Sequence, residues 1–374
     1  MGQGGVVRKC HIVAKNRAQV VLLPEELPKP GKPGILRMDA AELGWWVSVW
    51  FEQGTCVVVA AGQVELGSLE ADRIGLSAGV PPTIRAAFEP VPGVAAAEAY
   101  TRGLTHAHYE NFSVVSVLLP KHLRQDFCNV YAFCRIADDL GDEVGDKAKA
   151  LEYLGAFRRQ LIACYEGQAQ TAVFVALAAT IKRHDIPMKP FDDQIRAFEQ
   201  DQTVTRYETF AQVVDYCTKS ADPVGRIVLY MCGYRDEERQ VLSDKICTAL
   251  QLINFWQDVR RDILERDRIY LPAEDLRRFG VSEAQLREGK VSDAVRGLIQ
   301  FEVERTEGMF AEGAGLLPLL EGRVRKQIAL FRKGGLAICD AVRRQGFDTL
   351  TRRPKLSKWQ KVRLIVGTMI GGGR

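Results

Sequence analysis

From about residue 100 onward, apolar residues recur at three- and four-residue spacings, and strand-like alternation is absent. The periods predict helices over 121–137, 147–166, 171–184, 190–202, 208–219, 222–232, 236–263, 291–320 and 323–345. Gly and Pro mark loops at 141–145, 186–190, 233–235 and 271–273. Residues 1–100 read differently. Pro and Gly punctuate LPKPGKPG and EPVPG, and between them WWVSVWF and TCVVVAAG flank EQG as two short strands about a turn. A membrane span over 44–62 is the rival reading, opposed by Glu52 and Gln53 at its centre and by its shortness. The pattern thus predicts an all-α domain over 101–374, its helices surrounding a central apolar cavity, after an N-terminal extension over 1–100 whose structure is left open.

Two of the predicted helices are apolar on most sides yet carry a repeated acidic spacing. Asp138 and Asp142 lie in FCRIADDLGDE, and Asp258 and Asp262 lie in QLINFWQDVRRD. Residues four apart share one helix face, so each D-x-x-x-D aims two carboxylates at one point. Such pairs repel and call for a cation; hard oxygen ligands suit Mg²⁺ held between protein and substrate phosphates. The rival reading is a pair of solvated acidic faces. Phe127, Val130, Tyr131, Phe133 and Cys134 lead into the first pair, and Leu250, Leu252, Ile253, Phe255 and Trp256 into the second, so buried helices are expected instead. Asp139 and Glu143 repeat the spacing about 100° round the same helix and are expected to matter less. An apolar cavity floored by metal-binding carboxylates fits a prenyl diphosphate.

HYENFSVVSVLLPKHLRQDFCNVYAFCRIADDLGDE, YCTKSADPVGRIVLY and ALQLINFWQDVRRDILERDRIYLP together closely resemble the squalene/phytoene synthase family, over roughly residues 100–360. Within it, ENF…LLP, S-A-D-P-V-G-R and N-F-W-Q-D are most similar to the bacterial hydroxysqualene synthases of hopanoid biosynthesis. The resemblance implies the isoprenoid synthase fold, Mg²⁺ as cofactor, and conversion of presqualene diphosphate and water to hydroxysqualene and diphosphate, with no reductant. It also implies that Tyr216 is a cavity tyrosine near the reacting carbocation, the alternative being a packed core tyrosine. Gln251 and Asn254, on the face of Asp258, are candidate catalytic residues or else helix-packing amides. Candidate substrate-binding residues are Arg135, Arg226 and Arg268, whose guanidinium forks match diphosphate oxygens, with Asn111, Phe112 and Tyr131 in the segments that carry the resemblance. Any one of these arginines alone is more often a surface or salt-bridging residue. Gly225 reads as a close helix contact or bend.

Two other readings stay open. One is another condensing member, making presqualene diphosphate, squalene or phytoene from two allylic diphosphates. The other is a non-catalytic assembly protein derived from the family, in which the acid pairs would have drifted.

Composition narrows the setting. A chain of 374 residues, 47% hydrophobic, can bury a large core. Nine cysteines without a C-x-x-C read as reduced thiols of a cytoplasmic protein, and five histidines show no zinc spacing. No basic and apolar signal segment, nucleophilic triad or nicotinamide fingerprint is recognisable. Residues 1–95 hold nine basic and nine acidic side chains, whereas 323–374 hold fourteen basic and two acidic, so the stretch between is net acidic. In the basic tail, Trp359, Val362, Ile365 and Val366 interleave with Lys358, Lys361 and Arg363, a pattern suited either to peripheral contact with an anionic membrane surface or to a solvated terminal helix. Nucleic acid is the poorer partner, since no recognition motif accompanies the charge.

Overall fold

The computed structural model describes residues 35–40, 45–52, 55–63, 80–107 and 120–370. Strands β1 (Ile35–Ala40), β2 (Trp45–Glu52) and β3 (Thr55–Gln63) form an antiparallel meander in that order. The β2–β3 register runs from Glu52 opposite Thr55 to Trp45 opposite Gln63, with a bulge at Ser48/Val49. These two are the expected strands; β1 carried no signal that was read.

From Val80 onward the described chain is helical. Helix α1 (Pro82–Ala87) opens with a proline in its first turn, where a missing N–H costs nothing, and α2 (Val94–Ala107) follows. A 3₁₀ turn at Lys121–Leu123 leads into α3 (Arg124–Asp142). Then come α4 (Lys147–Tyr165), α5 (Ala172–His184), α6 (Lys189–Asp201), α7 (Phe210–Ser220) and α8 (Asp222–Met231). Helix α9 (Glu237–Arg266) is the axis of the molecule, 30 residues and about 45 Å long. It starts where the Asp236 carboxylate accepts the Arg239 N–H at 3.0 Å and stops at Asp267, in the left-handed region at φ 52°. Short helices α10 (Ala273–Phe279) and α11 (Glu283–Glu288) precede α12 (Asp293–Gly313), α13 (Gly322–Arg344) and α14 (Lys358–Ile370).

The core has two halves. In the first, Phe133, Phe157, Phe174 and Phe191, from α3 to α6, interlock at ring separations of 4.7–6.0 Å. In the second, α9 packs along α12, and the fully buried indole of Trp256 donates to Thr306 Oγ1 at 2.9 Å. Helices α8 and α9 approach closely at Gly225, where a Cβ would fall 2.4 Å from Ser243 Oγ and 2.5 Å from Cys247 Sγ. The close helix contact expected of that glycine is therefore real.

The domain boundary requires correction. Residue 100 falls inside α2, whose Ala97 is buried, and Ile84, Ala87 and Phe88 are buried in the first half-core. Apolar burial places the start of the helical unit near Val80.

Candidate active site

Helices α3 and α9 carry the two acid pairs, and each pair is electrostatically asymmetric. Asp142 accepts from Arg268 at 3.0 Å and from Arg266 at 2.9 Å. Asp258 accepts from Arg353 in a forked pair at 2.5 and 2.8 Å. Asp138 and Asp262 are served poorly, with the nearest guanidinium nitrogens at 3.6 Å (Arg135) and 3.8 Å (Arg266). Burial, and then the charge of Asp142, pushes the Asp138 carboxyl up to about 6. Burial, and then Asp258, raises Asp262 to about 7. One acid in each pair is thus neutralised by arginine while its partner lacks a matching positive charge.

That imbalance tests the fit to a cation. Among the described residues, no group of three or more Asp, Glu, His or Cys side chains is gathered closely enough to hold a metal ion by itself. Mg²⁺, however, commonly takes one or two carboxylates and completes its shell with water and substrate phosphate. Two undercompensated pairs of hard oxygen donors fit that mode of binding.

Between the pairs lies a network that the sequence reading missed. Asp201, at the end of α6 and buried, accepts the Tyr216 hydroxyl at 2.7 Å and the Tyr270 hydroxyl at 3.5 Å. Arg268 links it to the first pair, lying 3.6 Å from Asp201 and 3.0 Å from Asp142. Burial lifts Asp201 to about 6 despite Arg268 and the tyrosines. Tyr216 and Tyr270 are held well above the usual phenol range by burial and then by Asp201, so both stay protonated. Phe255 of α9 stacks on Tyr270 at 3.7 Å, while Tyr207 and Tyr216 close the aromatic group. The space beside it, lined by Phe255, Val259, Asp262, Arg268 and Tyr270, is only about 10 Å³. That is near the lower limit for one water. A prenyl chain requires these side chains to move.

The structure sorts the other candidates. Gln251 and Asn254 lie on the Asp258 face of α9, half-buried and exposed respectively. Tyr131 is half-buried, one turn before Arg135 on α3. Arg135 pairs with Asp139, which is buried and therefore anchors that arginine rather than pointing idly away. Arg226 is found in the salt-bridging arrangement: its fork grips Asp244 at 3.0 and 2.6 Å and joins α8 to α9, and Asp244 lies 14 residues before Asp258, about 21 Å along α9. Asn111 and Phe112 lie outside the described residues. Arg266 and Arg353 were not foreseen, and Arg353 reaches Asp258 from 95 positions away in the chain.

The helical body carries its two D-x-x-x-D helices linked through Arg266 and Arg268 beside a group of aromatics, and its fold is that of the isoprenoid synthases. The family profile described as squalene/phytoene synthase matches residues 105–360, and the chain belongs to that family. Its members act on prenyl diphosphates. A phytoene synthase of Thermus thermophilus is 34% identical over 260 residues, 69% of this chain and 88% of its own length. A hydroxysqualene synthase of Rhodopseudomonas palustris is 34% identical over 216 residues, 57% of this chain and 72% of its own. Among solved structures, the squalene synthase HpnC from Alicyclobacillus acidocaldarius superposes with a TM-score of 0.65 at 43% identity, covering 74% of this chain and 98% of that one. A dehydrosqualene synthase complex gives a TM-score of 0.67 at 28% identity, with 74% and 96% covered.

Proposed function

We propose that the chain converts presqualene diphosphate and water to hydroxysqualene and diphosphate, as a hydroxysqualene-forming member of its family. The observation that carries this reading is the 34% identity to the Rhodopseudomonas hydroxysqualene synthase over 57% of the chain, beside 43% to the squalene synthase HpnC structure and 28% to the dehydrosqualene synthase structure. Mg²⁺, held by Asp138 and Asp142 on one side and by Asp258 and Asp262 on the other, would supply positive charge to the leaving diphosphate. Arg268 lies where it can turn from Asp142 toward phosphate oxygens. As the C–O bond breaks, the bonding pair leaves with diphosphate. The cyclopropylcarbinyl cation that remains is flanked by Phe255, Tyr216 and Tyr270, whose ring faces favour positive charge. Rearrangement and capture by water form the new C–O bond, and the surplus proton passes to the released diphosphate. Gln251 and Asn254, polar on the Asp258 face of α9, are candidates to position that water.

A second reading has its own support in the 34% identity to the Thermus phytoene synthase over 69% of the chain. Purified protein with Mg²⁺ should be given presqualene, farnesyl and geranylgeranyl diphosphates separately, with and without NADPH. Hydroxysqualene from presqualene diphosphate without NADPH supports the first reading; phytoene from geranylgeranyl diphosphate alone supports the second. Such hydrocarbons scarcely dissolve in water, so the enzyme is best placed at a membrane surface, contacted by the basic C-terminal tail. No described helix is long and apolar enough to cross a membrane.

A further inference from the structure

At the end of α13 the chain turns through Gly346 and Phe347, both at positive φ, and runs back toward α14. Ala341, Arg344, Gln345, Arg352, Lys355 and Gln360 there line an open cavity of about 190 Å³. Three cations and two amides line it, and no carboxylate. The surrounding cations are spoken for: Arg343 pairs with Glu307 and Asp340, and Arg353 with Asp258. Arg344 and Lys355 have no ion pair among the described residues, while Arg352 only donates to the Gln345 carbonyl at 3.3 Å. The carbonyl end of α13 contributes about half a negative charge, which three cations outweigh. The cavity therefore suits a phosphate group.

What lies beside it selects among phosphates. Trp359, Val362 and Val366 project from one face of α14 with Trp359 83% exposed, and Lys361 and Arg363 stand exposed next to them. A soluble phosphate would leave this apolar face in water. An anionic phospholipid accounts for both halves, its headgroup phosphate in the cavity and its acyl boundary receiving the tryptophan and valines. The helix has 13 residues, about 20 Å, enough to lie along a bilayer surface.

We propose that the α13–α14 corner is an anionic-phospholipid site with Arg344, Arg352 and Lys355 as the headgroup contacts. This rests on the tail-docking reading above and narrows it from diffuse charge to a built site. The test is co-sedimentation of the full-length chain with phosphatidylcholine vesicles and with vesicles that also contain phosphatidylglycerol. Two triple variants are compared with the wild type. One is Arg344→Gln, Arg352→Gln, Lys355→Gln; the other removes equal charge elsewhere on the surface, at Lys147→Gln, Lys149→Gln, Lys182→Gln. The wild type should prefer the anionic vesicles, and the first variant should lose on the order of a hundredfold in partitioning, three residues at about fivefold each. The second should lose far less. Equal losses in the two variants would reduce the site to general electrostatics. Displacement by inorganic phosphate would assign the cavity to a soluble ligand, and equal wild-type binding to both vesicles would overturn tail docking itself.

Discussion

Asp258 stands at the meeting of the site's two electrostatic demands, since it belongs to an acid pair and is already held by Arg353. Asp258→Asn removes one charge from the pair and should cost orders of magnitude in turnover while the protein stays folded. Steady-state kinetics in limiting Mg²⁺ beside circular dichroism checks this, and near-normal turnover would remove Asp258 from the machinery. Arg353→Gln makes the opposite prediction for metal binding. With its guanidinium gone, the pair loses its stand-in cation, so the gain in Tm on adding Mg²⁺ should exceed that of the wild type. An unchanged gain would mean that Arg353 does not compete for that carboxylate. The acid pairs were legible as candidates because spacing and family motif both marked them, and Arg268 because a guanidinium fork matches diphosphate oxygens. Asp201 was not: it closes α6 as an ordinary terminal acid, and only the fold brings it to Tyr216. The pairing of Arg226 with Asp244 was not legible, because a guanidinium's charge is visible in sequence while its partner is not.

Among the elements, the long helices were readable from periodicity and most of their ends lie within three residues of the predicted ones, but α3 runs past 137 to Asp142 and α12 gives way at Gly313 to a 3₁₀ segment short of 320. α1, α10 and α11 are six or seven residues long, too short for an apolar period to emerge. α2 lies before the stretch in which helical periods were sought, although its buried positions Ala97, Thr101, Leu104 and Thr105 follow helical spacing. The contact of α8 with α9 was legible in one residue, Gly225. Gly225→Ala would place a methyl against Ser243 and Cys247, and it should destabilise the fold by about 1–3 kcal/mol. Chemical denaturation would show this, and a neutral result would mean that the two helices can part without cost. A second element-level prediction concerns Glu302 on α12, buried and 3.3 Å from Arg305, which also serves Asp275 at 2.9 Å. Burial pushes Glu302 up from the usual 4.5 to about 8. In that window the folded chain holds a proton that the unfolded chain has released. Its contribution to stability is therefore complete below about 4.5 and is lost as pH rises toward about 8. Glu302→Gln should flatten the fall in Tm over this range, and an unaltered slope would assign the fall to other acids.

For the whole molecule, the boundary matters most. The motifs begin near residue 105. Yet Ile84 and Phe88, on and just after α1, are fully buried against the first half-core. A chain beginning at residue 79 should fold and turn over, whereas one beginning at 96 should lose several kcal/mol through the missing apolar contacts. Equal stability of the two would show that α1 is an accessory. The central apolar cavity expected from the sequence is matched among the described residues only by a space of about 10 Å³. The stacking of Phe255 on Tyr270 leaves little room between the acid pairs, and a sequence records which aromatics exist, not whether they are stacked together or parted by substrate.

The central claim is that water terminates the reaction in this cavity. The most direct measurement is turnover of presqualene diphosphate with Mg²⁺ in water enriched in heavy oxygen, without reductant, followed by mass spectrometry of the extracted lipid. The account predicts hydroxysqualene carrying one heavy oxygen per molecule at the enrichment of the solvent. A hydrocarbon product with no oxygen, or an alcohol whose oxygen came from the diphosphate ester, would contradict it.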